Sequence, residues 1–178
     1  FNILYHNLKE SNFIEIDENN NKLLTGLSNI ALMIKEGNCL TLTDLLISHN
    51  FFDELLPVEI ASLLSMFANS STTDDDEFIY TDYKELNTTI RSLEKINTTY
   101  LEIENNSNIF SELNYTLCFD YIHIIIEWFN ADTDEECQRV IRSTKHLFPG
   151  EFLKAILKVH NISKELEKIA EQNNNLML

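Results

Sequence analysis

The chain has 178 residues and 44% hydrophobic content, enough for one cored domain, and it holds no apolar run of roughly 18 residues that could cross a membrane. Three Gly and two Pro argue against a turn-dense β fold, and Gly26, Gly37 and Gly150 stand too far apart for a GxGxxG or GxxxxGK(S/T) phosphate loop. A formal net charge of −16 opposes binding to a polyanion by the surface as a whole.

In chain order, Tyr5 to Phe13 reads as a short helix and Ile14 to Asn21 as a non-helical stretch. Helical spacing resumes at Leu27, Ile30, Ala31 and Ile34 and is stopped by Gly37-Asn38. Thr41 or Thr43 is expected to cap the next helix, through Ile47, with Asp44 in its first turn. Pro57 opens a further helix with Glu59 behind it and Ile60, Leu63, Leu64 and Phe67 on one face. An internal loop is expected near residues 69–77. Beyond it Ile79, Tyr83, Leu86, Ile90, Leu93, Ile96, Tyr100 and Ile103 fall at 4-3-4-3-3-4-3 spacing, one amphipathic helix of about seven turns. Ile109 to Phe129 is apolar on most sides and reads as a central helix, with a buried strand as the alternative. Asp132 or Thr133 caps a helix through Arg142, and Pro149-Gly150-Glu151 opens the last one, Phe152 to roughly Asn173. Its apolar face is Phe152, Ile156, Val159, Ile162, Leu166 and Ile169. The expected fold is all-α: a single helical bundle of about seven helices over residues 1–178, with Ile79–Ile103 and Ile109–Phe129 as a long central pair.

Cys39, Cys118 and Cys137 form no CxxC pair and read as buried thiols of a reducing compartment, and no basic-then-apolar leader precedes them. Asparagine runs such as Asn19-Asn20-Asn21 suit an AT-rich genome, as in a protist or a large DNA virus, and explain sequons such as Asn87-Thr88-Thr89 without glycosylation. Asp120 and His123 lie at i,i+3 with no second such pair, so a metal is not expected. His160, one position past Val159, is expected to pack or cap, and Trp128 to belong to the core rather than to a base-stacking platform. Asp74–Glu77 lacks calcium-loop spacing and reads as a solvated loop. No serine, cysteine or carboxylate constellation supports catalysis.

The charge is unevenly spread. Acid gathers at Asp74-Asp75-Asp76-Glu77, Glu102–Glu104 and Asp132–Glu136, whereas Arg139, Arg142, Lys145, Lys154, Lys158, Lys164 and Lys168 face only Glu151, Glu165 and Glu167 over the same stretch. On the last helix Lys154, Lys158, Asn161, Glu165 and Lys168 make one polar stripe, and Lys154 sits about 200° round from Phe152, away from the core. Lys neutralises phosphate and Asn reads base edges, while Glu165 fits only by accepting from a base or holding a lysine. A solvated face with i,i+4 charge pairs is the plainer account of the same residues.

Several segments, in this order, resemble the DSHCT domain, the C-terminal helical domain of superkiller-type and exosome-cofactor RNA helicases. They are Thr25-Gly26-Leu27-Ser28-Asn29-Ile30-Ala31, the LTLTDLL of Leu40 to Leu46, Phe51 to Leu55 leading into Leu56-Pro57-Val58-Glu59-Ile60-Ala61-Ser62-Leu63-Leu64-Ser65, Trp128 at a helix end, and Gly150 to Leu157. Lys154 and Lys158 stand where the family carries arginines, which keeps charge but loses planar, bidentate phosphate recognition. Asn69 or Ser71 stands in place of the base-contacting glutamate that the family usually carries. Phe1 at the start and an end at Leu178, short of the family's usual tail, imply a fragment of a longer chain. The resemblance implies an accessory ratchet domain of an ATP-dependent superfamily 2 RNA helicase, aiding 3′-to-5′ translocation on single-stranded RNA in RNA processing or decay. Lys154, Lys158 and Asn161 are then its RNA-binding edge, and ATP and Mg belong to ATPase domains outside this chain. The rival is a free-standing acidic helical adaptor that binds a protein and no RNA.

Overall fold

The computed structural model describes residues 2–68, 80–108, 110–143 and 148–176. Among these are eight α-helices and one hairpin: α1 (Asn2–Glu10), β1 (Ile14–Ile16), β2 (Lys22–Leu24), α2 (Gly26–Met33), α3 (Cys39–Ser48), α4 (Pro57–Ser65), α5 (Lys84–Ser107), α6 (Ile122–Phe129), α7 (Asp134–Ser143) and α8 (Pro149–Leu176). The molecule is thus the mostly helical bundle that the 3/4 spacing predicts, with eight described helices against about seven expected. The expected loop near 69–77 lies outside the described residues, and the long helix expected from Ile79 begins only at Lys84, because Tyr83 before it is extended and Tyr80–Asp82 are not helical.

The hairpin is a small addition in the stretch expected to be non-helical. Its strands pair antiparallel, Ile14 with Leu24 and Ile16 with Lys22. Asp17 closes the turn by accepting from the backbone N–H of Asn19 (2.9 Å) and Asn21 (2.7 Å), with Asn20 in the left-handed region. Phe13, Ala31 and Tyr100 form a small core of their own, with Leu8 of α1 packed against it.

The main core sits around α4, which packs on α5, α6 and α8. Val58, Glu59, Ser62, Leu63, Leu64 and Ser65 are all buried, so α4 presents more than the single face its apolar residues suggest. Its two serines enter the core because each hydroxyl returns to its own helix, Ser62 to the Val58 carbonyl (2.8 Å) and Ser65 to the Ser62 carbonyl (2.6 Å). Glu59 enters for a similar reason. One carboxylate oxygen accepts from the Leu56 N–H (2.8 Å) at the start of α4, and the other from the Leu86 N–H (3.2 Å) at the start of α5. Both helix starts have donors without intrahelical partners, and one buried side chain serves the two.

Two further boundary expectations are corrected. Asn38, not Thr41 or Thr43, caps α3: its Oδ1 accepts from the Thr41 N–H at 3.2 Å, and both threonines are fully buried within the helix. Asp44 therefore lies mid-helix. Thr133, by contrast, does cap α7, accepting from the Glu136 N–H at 3.2 Å. The larger correction concerns Ile109–Phe129. Of its described residues only Ile122–Phe129 are helical, and residues 110–119 form neither helix nor strand. Asn108 ends α5 in the left-handed region, Glu112 is left-handed again, and the chain is then held by groups outside it. Asn97 Nδ2 donates to the Tyr115 carbonyl (2.6 Å), Asn38 Nδ2 to the Asn114 carbonyl (3.4 Å), and the Cys118 N–H donates to the Met66 carbonyl (2.9 Å). These bonds satisfy backbone groups that a helix would otherwise have used internally. The second long helix of the bundle is accordingly α8, with α6 a short core helix.

Cys118 is buried, Cys39 and Cys137 are half-buried, and none of the three is in a disulfide. No described helix is long and apolar enough to cross a membrane.

Candidate nucleic-acid interface

Helix α8 buries Phe152, Ala155, Val159, Ile162 and Ile169, largely the expected stripe, with Ile156 and Leu166 at its half-buried margins. Full burial of one such large aliphatic or aromatic side chain contributes about 1.5–3 kcal/mol, so this face fixes the rotation of α8 about its axis. Trp128, at the end of α6, meets Phe152 edge-on with ring centroids 5.8 Å apart. The tryptophan is a half-buried pin between α6 and α8, whereas its neighbour Phe129 is exposed.

Rotation so fixed divides the polar stripe into two parts. Lys154 and Lys168 are exposed and make no ion pair among the described residues. Lys158, Asn161 and Glu165 instead meet the turn that joins α2 to α3. Lys158 Nζ lies 2.5 Å from Glu36 Oε2, and Asn161 Nδ2 donates to Glu36 Oε1 at 3.5 Å. Glu165 Oε2 accepts from the backbone N–H groups of Lys35 (3.0 Å) and Glu36 (3.2 Å). The carboxylate that looked out of place beside phosphate thus caps a turn rather than holding a lysine. The Lys158 ammonium beside Glu36 holds its carboxyl below the usual carboxylate range, Asn161 adds to this, and partial burial opposes it. Lys158 and Glu36 remain 29% and 34% exposed, so screening keeps such a pair near the usual 0.2–1 kcal/mol, about the scale of one thermal-energy unit.

The outward face of α8 holds residues that the polar stripe leaves out. Leu153 and Leu157 are exposed at 58% and 53%, and they line up with Lys164 and Lys168 at 4-7-4 spacing. His160 lies exposed on the same side rather than packing or capping. Lys35, in the turn that Glu165 caps, is also exposed. The pattern of two leucines one turn apart followed by two lysines one turn apart is the sequence signal for this face, and the strongly apolar stripe opposite obscures it.

Other groups offer less. Among the described residues no set of three or more His, Cys, Asp or Glu is placed to hold a metal ion. A cleft of about 250 Å³ beside Asn50–Phe52, a single turn with left-handed backbone, is lined by His49, Asp53, Glu54, Glu85 and Thr89, and its three carboxylates repel phosphate. Asn69 and Ser71, near the place of the family's base-contacting glutamate, lie outside the described residues, as does Lys145.

No curated protein matches the chain significantly. The model of one family does match, over residues 21–177, which includes every element from β2 through α8. With that match on a helical bundle ending in a long, lysine-bearing helix, the chain belongs to the DSHCT (NUC185) domain family, a domain found in superfamily 2 RNA helicases.

Proposed function

We propose that this chain is the RNA-contacting accessory domain of an ATP-dependent superfamily 2 RNA helicase, with α8 lying along the single strand. ATPase domains elsewhere in the parent protein, with their ATP and Mg, supply the power stroke of 3′-to-5′ translocation, and α8 holds the strand between strokes. The observation that carries this reading is the outward face of α8. Lys154, Lys164 and Lys168 stand exposed on α8, with exposed Glu167 and Glu171 towards its end, so this helix offers free ammonium groups in a protein whose net charge is −16. Leu153 and Leu157 among them give unstacked bases an apolar surface without sequence preference. Lys154 is the freest of the three expected contacts. Lys158 and Asn161 reach RNA only by leaving Glu36.

The double substitution Lys154→Glu with Lys158→Glu in the full-length protein tests the reading. RNA binding and unwinding should be lost while the melting temperature stays nearly unchanged, and unaltered RNA affinity would remove the reading. Because Lys158→Glu also opposes Glu36, Lys154→Glu with Lys168→Glu is the cleaner pair, and the same loss is expected. The second reading, an acidic adaptor for a protein partner, draws on the same exposed leucines. It requires Leu153→Asp to abolish partner capture and the lysine substitutions to leave RNA affinity untouched.

A further inference from the structure

We propose that Glu36 is a built-in stand-in for phosphate that sets how tightly α8 holds RNA. The inference rests on the RNA-contacting reading of α8 and names a residue outside that helix which tunes it. One carboxylate occupies the two groups expected to meet the strand: Oε2 on Lys158 at 2.5 Å and Oε1 towards Asn161 at 3.5 Å. Like a phosphate, it offers two anionic oxygens to a cation and an amide at once.

This is more than a chance meeting of two long surface side chains, because the turn that carries Glu36 is held in place. Ile34 before it and Asn38 after it are buried. Gly37 takes φ +84° and lies so close to Phe67 that a Cβ there would sit 3.1 Å from the ring. From α8 itself, Glu165 fastens the Lys35 and Glu36 N–H groups. The backbone is therefore fixed from the core side and from the helix side, and the Glu36 carboxylate is delivered to Lys158 by the fold. Both partners nevertheless stay about one-third exposed, so a strand arriving along the outward face can reach the ammonium and exchange with the carboxylate. Lys154 engages RNA without that exchange, and Lys158 engages only after it.

Glu36→Gln keeps the shape of the side chain and removes its charge. In the full-length protein at about 0.1 M salt it should tighten single-stranded RNA binding about two- to fivefold, and the dependence of log K on log salt should steepen by about 0.7 as Lys158 gains a phosphate. Lys158→Met should weaken binding little in the wild-type background and several-fold in the Glu36→Gln background, which is the coupling a double-mutant cycle reads. Unchanged affinity and salt slope in Glu36→Gln, with Lys154→Glu still weakening binding, would overturn the proposal alone. If Lys154→Glu with Lys168→Glu leaves RNA binding intact, the RNA reading falls and takes this proposal with it. A Glu36→Gln protein with a lowered melting temperature and an unchanged salt slope would assign Glu36 a purely structural role, also overturning it.

Discussion

The Tyr100 hydroxyl donates to Asp44 Oδ2 at 2.6 Å, tying α5 to α3. Burial raises the Asp44 carboxyl above its ordinary 3.8, and the Tyr100 hydroxyl pulls it part of the way back. The folded protein then binds more protons at this site than the unfolded chain does between pH 3.8 and the raised value. The site's contribution to stability is therefore fully present below pH 3.8 and is lost as pH rises through that window. Asp44→Asn fixes the neutral form while still accepting from Tyr100. It should be more stable than the wild type at pH 7, with the gap closing as pH falls towards 3.8. Urea unfolding at the two pH values checks this, and an equal gap at both would refute it.

Tyr100→Phe tests the same bond from the other side. It leaves a half-buried carboxylate without its donor, and hydrogen bonds to charged groups contribute about 1.5–3 kcal/mol. The variant should lose roughly that much at pH 7 and much less in acid, measured by the same unfolding curves.

Asn97 joins three parts of the chain. Its Oδ1 accepts from the Thr41 hydroxyl at 3.3 Å in α3, and its Nδ2 donates to the Tyr115 carbonyl at 2.6 Å in the segment between α5 and α6. Asn97→Ala leaves buried polar groups on both sides, a cost of about 1–3 kcal/mol. Asn97→Asp replaces the donor by an oxygen facing the Tyr115 carbonyl, so it should cost at least as much at neutral pH and recover in acid. Chemical denaturation of the two variants at pH 7, with Asn97→Asp repeated in acid, measures these costs.

Ile162 and Leu157 lie on opposite faces of α8, fully buried and 53% exposed respectively. Ile162→Ala should destabilise by about 2–5 kcal/mol through lost transfer and a residual cavity, whereas Leu157→Ala should change stability by no more than about 0.5 kcal/mol. Comparable losses from the two would place α8 in a different rotation and would move the candidate RNA face with it.

The features legible in the sequence are those written in short-range pattern. The 3/4 spacing from Leu86 to Ile103 and from Phe152 to Ile169 gives α5 and α8, Pro57 and Glu59 give the start of α4, and Thr133 gives the start of α7. Residues 111–118 fall inside the helix expected over Ile109–Phe129, yet they carry a visible pattern of their own. Leu113, Tyr115 and Leu117 alternate with exposed Glu112, Asn114 and Thr116, a period of two that the isoleucine run downstream outweighs. What short-range pattern cannot carry is partnership across the chain. Glu36 and Lys158 are 122 positions apart, and no local feature of either names the other. The candidate site was therefore legible as a lysine-bearing helix face, while the engagement of Lys158 and Asn161 by a distant carboxylate was not.

Glu59 has a consequence for how this protein opens. Because one carboxylate closes the first turns of both α4 and α5, one through each oxygen, any displacement of the Glu59 side chain uncaps both turns at once. The amide protons of Leu56 and Leu86 should then exchange with solvent together, as members of one cooperative opening unit. In Glu59→Ala they should exchange independently, each at the faster rate of an uncapped helix end.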